Sequence, residues 1–238
     1  MNDIPATQRT FVALDTTDMD VAVSLARRLK GHVGGMKVGK EFFTALGPQG
    51  VLRITECGMP VFLDLKFHDI PNTVAGAVRA AAPIAPYMLN VHASGGATMM
   101  RAAAEAASCF EGEKPIVLGV TVLTSMNEDD LAQVGVNDTP LEQVLRLATL
   151  AHESGLDGVV CSAREVGDIR RILPATFKLV VPGIRPDWAS ADDQKRIVTP
   201  SNAVAMGADY LVIGRPITGA ADPVEAADRI AAEIESGT

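Results

Sequence analysis

Paired cysteines, long apolar runs and clusters of basic residues are all missing from this sequence. Cys57, Cys109 and Cys161 stand far apart with no CxxC pair, so neither a disulfide framework nor a zinc site is expected. They read as reduced, buried thiols. No apolar stretch is long enough to span a bilayer. The opening MNDIPATQRT lacks an apolar segment behind a basic one, so no secretion signal is expected and the cytoplasm is the default location. The formal net charge is −8, with Lys and Arg scattered, which argues against a nucleic-acid surface. Any anionic ligand must then meet positive charge concentrated in a site. Aromatic residues are only 4% of the chain, which leaves a core of Ala, Val, Ile, Leu and Met.

What is present is alternation. Short β-rich runs fall at Thr10–Asp15, Val33–Val38, Val61–Lys66, Met88–His92, Ile116–Thr121, Gly158–Cys161, Lys178–Val181 and Tyr210–Ile213. Between them lie helical patterns such as VAVSLARRL, TVAGAVRAAA, ATMMRAAAEAA, PLEQVLRLATLAHES and NAVAMGA, and DPVEAADRIAAEIE follows the last. A parallel crossover needs a helix, so serial βα units predict a parallel sheet closed into a (β/α)8 TIM barrel. The 238 residues suit one such α/β domain, 1–238, since barrels of this type run to about 250. A doubly wound open sheet is the rival, but its dinucleotide-binding form needs a Gly-rich GxGxxG turn after strand one, which is absent. One long irregular stretch, 182–200 (PGIRPDWASADDQKRIVTP), is expected to be an active-site lid, because loops of this length are uncommon in compact domains.

Charge sits where a barrel keeps its chemistry. The third strand reads V-F-L-D-L-K-F-H-D-I-P-N-T over residues 61–73. Residues two apart share a face, so Asp64 and Lys66 point inward with Phe62, while Val61, Leu63 and Leu65 face the helices. By the same period Asp15 shares the face of Ala13, and Lys37 that of Gly35 and Val33. Three successive strands thus end in inward charge at the C-terminal mouth. A structural network of ion pairs is the bland alternative, yet buried pairs are weak stabilisers. The eighth strand ends in G-R-P. Gly214 lets a backbone N–H approach an anion, and Arg215 can clamp phosphate. His92 ends the fourth strand, where it could line the site, but reads better as a satisfied core histidine; His68 reads as a helix-entry residue, and His32 and His152 as surface positions. No two histidines have metal-ligand spacing, so no metal is expected.

D-L-K-F-H-D-I-P-N-T closely resembles the D-x-K-x-x-D-I-P-x-T signature of the orotidine 5′-phosphate decarboxylases. Supporting segments follow in family order: F-V-A-L-D, M-K-V-G, N-V-H-A-S-G-G, V-T-V-L-T-S, S-G-L-D-G-V-V-C-S, P-G-I-R, D-D-Q and V-I-G-R-P-I-T. The resemblance implies a charged array of Lys37, Asp64, Lys66 and, from the partner subunit of a homodimer, Asp69. It implies that Asp15 contacts the ribose and Thr124 the pyrimidine, and that Ile70, Pro71, Asn72 and Thr73 line the site. Gln194 would link the lid to the nucleotide, with Arg185, Gly214 and Arg215 at the phosphate.

The residues themselves suit that chemistry. Loss of CO2 leaves an electron pair on carbon, which most decarboxylases pass to a cofactor. No motif for pyridoxal phosphate or thiamine diphosphate is seen, and no cofactor is expected. Lys66 can instead stabilise the carbanion and protonate it. Asp64 opposes the substrate carboxylate until CO2 departs. Two rivals share the barrel. A sibling branch decarboxylates a keto-gulonate phosphate with a metal, but carries an acid where this chain has Lys37. A non-catalytic nucleotide-phosphate sensor would have no use for Lys66 or Asp64.

Overall fold

The computed structural model describes residues 4–189 and 198–237. After a 3-10 turn at Ala6–Arg9 the chain runs β1 (Thr10–Leu14), α1 (Met19–Leu29), β2 (Gly35–Val38), α2 (Lys40–Thr55), β3 (Val61–Phe67), α3 (Pro71–Ala80), β4 (Met88–His92) and α4 (Gly96–Ser108). It continues through β5 (Ile116–Val120), α5 (Glu128–Gln133), α6 (Pro140–Glu153), β6 (Gly158–Val160), α7 (Val166–Ile172), β7 (Lys178–Pro182), α8 (Pro200–Ala205), β8 (Tyr210–Ile213), α9 (Arg215–Thr218) and α10 (Pro223–Ser236). The strands close in chain order into one barrel, β8 pairing in parallel with β1. This is the expected (β/α)8 architecture, with strand ends within a residue or two of the sequence reading.

Alternation along each strand divides the apolar residues into two sets. Phe11, Ala13, Phe62, Met88, Leu118, Val180, Tyr210 and Val212 fill the barrel. Val12, Leu14, Val61, Leu63, Leu89, Val91 and their like pack under the helices. Phe11 anchors the inner layer, edge-on to Phe62 and Tyr210 at centroid distances of 6.5 and 5.6 Å and stacked on Tyr87 at 5.8 Å. Gly35 makes room for it: a Cβ there would lie 2.5 Å from the Phe11 ring. The Tyr87 and Tyr210 hydroxyls, 2.8 Å apart, satisfy each other on the barrel floor.

Two strands are entered by the same device. Gly155 (φ +81°) and Gly207 (φ +112°) end α6 and α8 in the left-handed region that suits glycine. Two residues later Asp157 and Asp209 lead into β6 and β8. Asp157 accepts from the Val117 amide of β5 at 2.8 Å, and Asp209 from the Leu179 amide of β7 at 2.7 Å. Asp209 is almost fully buried and also meets Arg170 at 2.5 Å. Arg170 in turn donates to the Gly207 and Phe177 carbonyls.

One sequence expectation needs correction, and two connections hold helices that no sequence pattern marked. Val33 precedes β2 and packs in the outer cluster, so it does not share the face of Lys37. The connection between β2 and β3 is helical: α2 is broken at Gly47 (φ +60°), and Pro48 opens its second half. That Gly-Pro step hid the helical period. The connection between β6 and β7 also holds a helix, α7, too short to show a pattern.

Candidate active site

Because inward side chains at strand ends converge on the barrel axis, β1, β2 and β3 bring their charges together. Lys37 Nζ lies 3.7 Å from Asp15 Oδ1 and 3.4 Å from Asp64 Oδ2, and Lys66 Nζ lies 2.5 Å from Asp64 Oδ1. The result is a chain of alternating sign, Asp15–Lys37–Asp64–Lys66. Its middle is sheltered, with the Lys37 and Asp64 side chains each 12% exposed, whereas Asp15 is 65% exposed at the mouth. Every charge in the row has an opposite neighbour, which is what allows charge to persist inside a barrel.

The end of β3 is not a regular strand. Lys66 has φ +55°, a left-handed conformation that a side chain with a Cβ disfavours. β3 pairs with β4 as Leu63↔Leu89 and then Phe67↔Val91. Four residues of β3 therefore oppose two of β4, and the surplus holds Asp64 and Lys66. Asn90 of β4, fully buried, fills the gap. Its Oδ1 accepts from the Lys66 amide and its Nδ2 donates to Asp64 Oδ1, both at 2.7 Å. The sequence reading missed Asn90, although a polar residue between inward Met88 and His92 was the available signal.

His92 also differs from expectation. It is half-buried rather than a core residue, and its ring lies 5.3 Å from that of His68. Burial, then the neighbouring His68, Lys40 and Lys66, hold its pKa below the usual histidine value. His68 is exposed and faces His92, rather than serving helix entry. His32 meets Asp228 at 2.7 Å, and exposed His152 packs edge-on against Phe177.

Beyond the array, the chain from His68 to Ile70 is exposed, as are Asn72 and Thr73, with Pro71 partly covered at the start of α3. Asp69 accepts from the Ile70 amide at 2.7 Å. Among the described residues no ion pair joins it to Lys37 or Lys66 of its own chain. Thr124 and Arg215 border a cavity of about 1040 Å³ formed by the loops after β5 to β8, together with Ser162, Glu165, Pro182 and Gly183. Gly214 lies between this cavity and the array, since a Cβ there would sit 3.9 Å from Asp15 Oδ2. Arg185 is buried, and its backbone amide donates to the Val198 carbonyl at 3.2 Å. Gln194 and the middle of the expected lid, residues 190–197, lie outside the described residues.

Glu165, which the sequence reading did not single out, lies in the cavity wall. Burial pushes its carboxyl up to about 7, against the Ser162 amide that donates to it at 2.8 Å. Of the cysteines only Cys161 is fully buried, with its thiol pushed up by burial; Cys57 is partly covered and Cys109 exposed, which corrects the expectation of three buried thiols. Among the described residues no three His, Cys, Asp or Glu side chains gather as metal ligands, and no helix is long and apolar enough to cross a membrane.

A closed parallel barrel with paired Lys and Asp at its C-terminal mouth, beside a roomy polar cavity, defines an enzyme of the (β/α)8 class. Residues 8–230 match the Orotidine 5'-phosphate decarboxylase / HUMPS family, and the chain belongs to that family. An orotidine 5'-phosphate decarboxylase of Rhodospirillum rubrum is 57% identical over 229 residues, covering 94% of this chain and 93% of the relative. The one from Paramagnetospirillum magneticum is 54% identical, covering 94% and 97%. The crystal structure of orotidine 5'-phosphate decarboxylase from Lactobacillus acidophilus superposes with a TM-score of 0.85 at 36% identity, covering 98% of this chain and 99% of that one.

Proposed function

We infer that this chain converts orotidine 5′-phosphate to uridine 5′-phosphate and CO2 in pyrimidine biosynthesis, as a cofactor-free carboxy-lyase. The observation that carries the reading is the alternating row Asp15–Lys37–Asp64–Lys66 at the mouth of the barrel, supported by relatives that bear this activity in their names. In this reading the substrate carboxylate lies against Asp64. The bond from the ring carbon to the carboxylate breaks, CO2 leaves, and the electron pair stays on the ring carbon beside the Lys66 ammonium. Lys66 stabilises that pair and then donates its proton to it. Asp64 repels the carboxylate only while it is present.

Other roles follow the row outward. Lys37 holds Asp64 and Asp15, and Asp15 takes the ribose. Thr124 meets the pyrimidine, Ile70 to Thr73 line the site, and Gly214, Arg215 and Arg185 serve the phosphate, with Gln194 reaching the nucleotide. Asp69, exposed and outside its own chain's ion pairs, completes the array of a second subunit in a cytoplasmic homodimer. The deciding experiment follows orotidine 5′-phosphate absorbance with wild type and Lys66→Ala, with and without chelator. Turnover by wild type, lost in Lys66→Ala with uridine 5′-phosphate binding kept and chelation without effect, supports the reading. Near-normal kcat in the variant overturns Lys66 as the donor. Mixing inactive Lys66→Ala with inactive Asp69→Ala chains should restore activity through heterodimers holding one intact site. No recovery despite verified subunit exchange would overturn the sharing of Asp69.

A further inference from the structure

We propose that Asn90 is a positioning residue for decarboxylation: its amide locks the strained backbone of Lys66 and aims Asp64, so that ammonium and carboxylate meet the substrate in one fixed geometry. The inference rests on the functional reading above and adds to it a residue that touches no substrate.

The chemistry of the partners dictates the orientation of the amide. A backbone N–H can only donate, so the atom 2.7 Å from the Lys66 amide must be Oδ1. The amino group then faces Asp64 Oδ1, also at 2.7 Å, and donates to it. No other side chain of this size offers one acceptor and one donor at that spacing. Aspartate would oppose carboxylate to carboxylate, and leucine would leave the Lys66 amide unsatisfied in the interior. The backbone explains the need. Where the β3–β4 register slips between Leu63 and Phe67, no β4 carbonyl is in step with Lys66, and the Asn90 side chain replaces it. The left-handed Lys66, φ +55°, relies on that bond. Asp64 Oδ1 thus receives two donors, Lys66 Nζ at 2.5 Å and Asn90 Nδ2. Only the second is fixed to a fully buried strand.

The test compares Asn90→Ala and Asn90→Ser with wild type. A misplacement on the scale of 1 Å costs about 100-fold in rate, so kcat should fall by about that factor in Asn90→Ala. The dissociation constant for uridine 5′-phosphate, held through ribose and phosphate, should change by less than about threefold. Removing a donor from a carboxylate favours its protonated form, so the acid limb of the kcat–pH profile should move to higher pH. A purely structural role would leave that limb in place. Unchanged kcat, or a kcat loss with an unmoved acid limb, overturns the proposal. Asn90→Ser, smaller and polar, carries the same measurements if the alanine variant does not fold. If wild type does not decarboxylate orotidine 5′-phosphate, the functional reading fails instead. The crystal structure of the variant then judges Asn90 alone: Lys66 should leave the left-handed region, and a Lys66 φ still near +55° overturns the lock.

Discussion

Lys66 pays for its position with backbone strain, and that strain can be measured apart from its charge. Lys66→Ala and Lys66→Gly both delete the ammonium, yet only glycine is at ease at φ +55°. The glycine variant should therefore be the more stable of the two by about 1 kcal/mol, read as a shift in urea midpoint at equal slope. Equal stabilities would mean that the chain relaxes at residue 66 once the side chain is gone. This strain was invisible in the sequence, whereas the charges beside it were not. Asp15, Lys37, Asp64 and Lys66 were legible because a period of two and a strand end suffice to bring them together. Asn90 and His92 follow the same period. Asn90 was passed over and His92 read as core because a polar residue in an apolar strand also suits a core hydrogen bond, and only the slipped register reveals what Asn90 bonds.

Among the elements, the paired Gly-x-Asp entries to β6 and β8 invite comparison. Asp209 is 1% exposed and bound to Arg170, whereas the Asp157 side chain is 34% exposed beside Lys114. Removing one partner of a buried pair costs about 3–5 kcal/mol, so Asp209→Ala should lose that much in urea unfolding. Asp157→Ala, whose charged partner Lys114 stays solvated, should lose about half as much or less. The 3-10 turn at Ala163–Glu165 adds a pH effect. Glu165 titrates near 7 in the fold against an ordinary 4.5. The folded state therefore binds the proton more tightly, and stability falls as pH rises through the window between those values. Glu165→Gln keeps an acceptor for the Ser162 amide and removes the buried charge. It should be more stable than wild type above pH 7 by on the order of 1–3 kcal/mol. That advantage should vanish in unfolding curves taken near pH 4.5, and an advantage independent of pH would assign the gain to packing. This titration was not legible in the sequence, because it depends on how deeply a capping carboxylate is covered. The α2 helix was hidden for a simpler reason, since Gly47-Pro48 reads locally as a loop.

For the molecule as a whole, closure of the barrel separates a floor from a mouth, and the order of strands alone made that legible. Arg215 borders the large cavity, where the proposed reading puts the phosphate, away from the row of charges on β1 to β3. Arg215→Ala should then lose about 2–5 kcal/mol in kcat/KM on the nucleotide and little on phosphate-free orotidine. Equal losses on both substrates would remove Arg215 from the phosphate. The floor has a consequence of a different kind. Both tyrosines of the chain belong to it, bonded to each other, with burial and the Tyr87 hydroxyl holding the Tyr210 phenol well above its ordinary value. The one tryptophan, Trp188, lies elsewhere, under the Arg229 guanidinium. The chain is thus optically partitioned: tyrosine absorbance speaks for the floor of the barrel, and emission excited at the indole edge speaks for its outer wall.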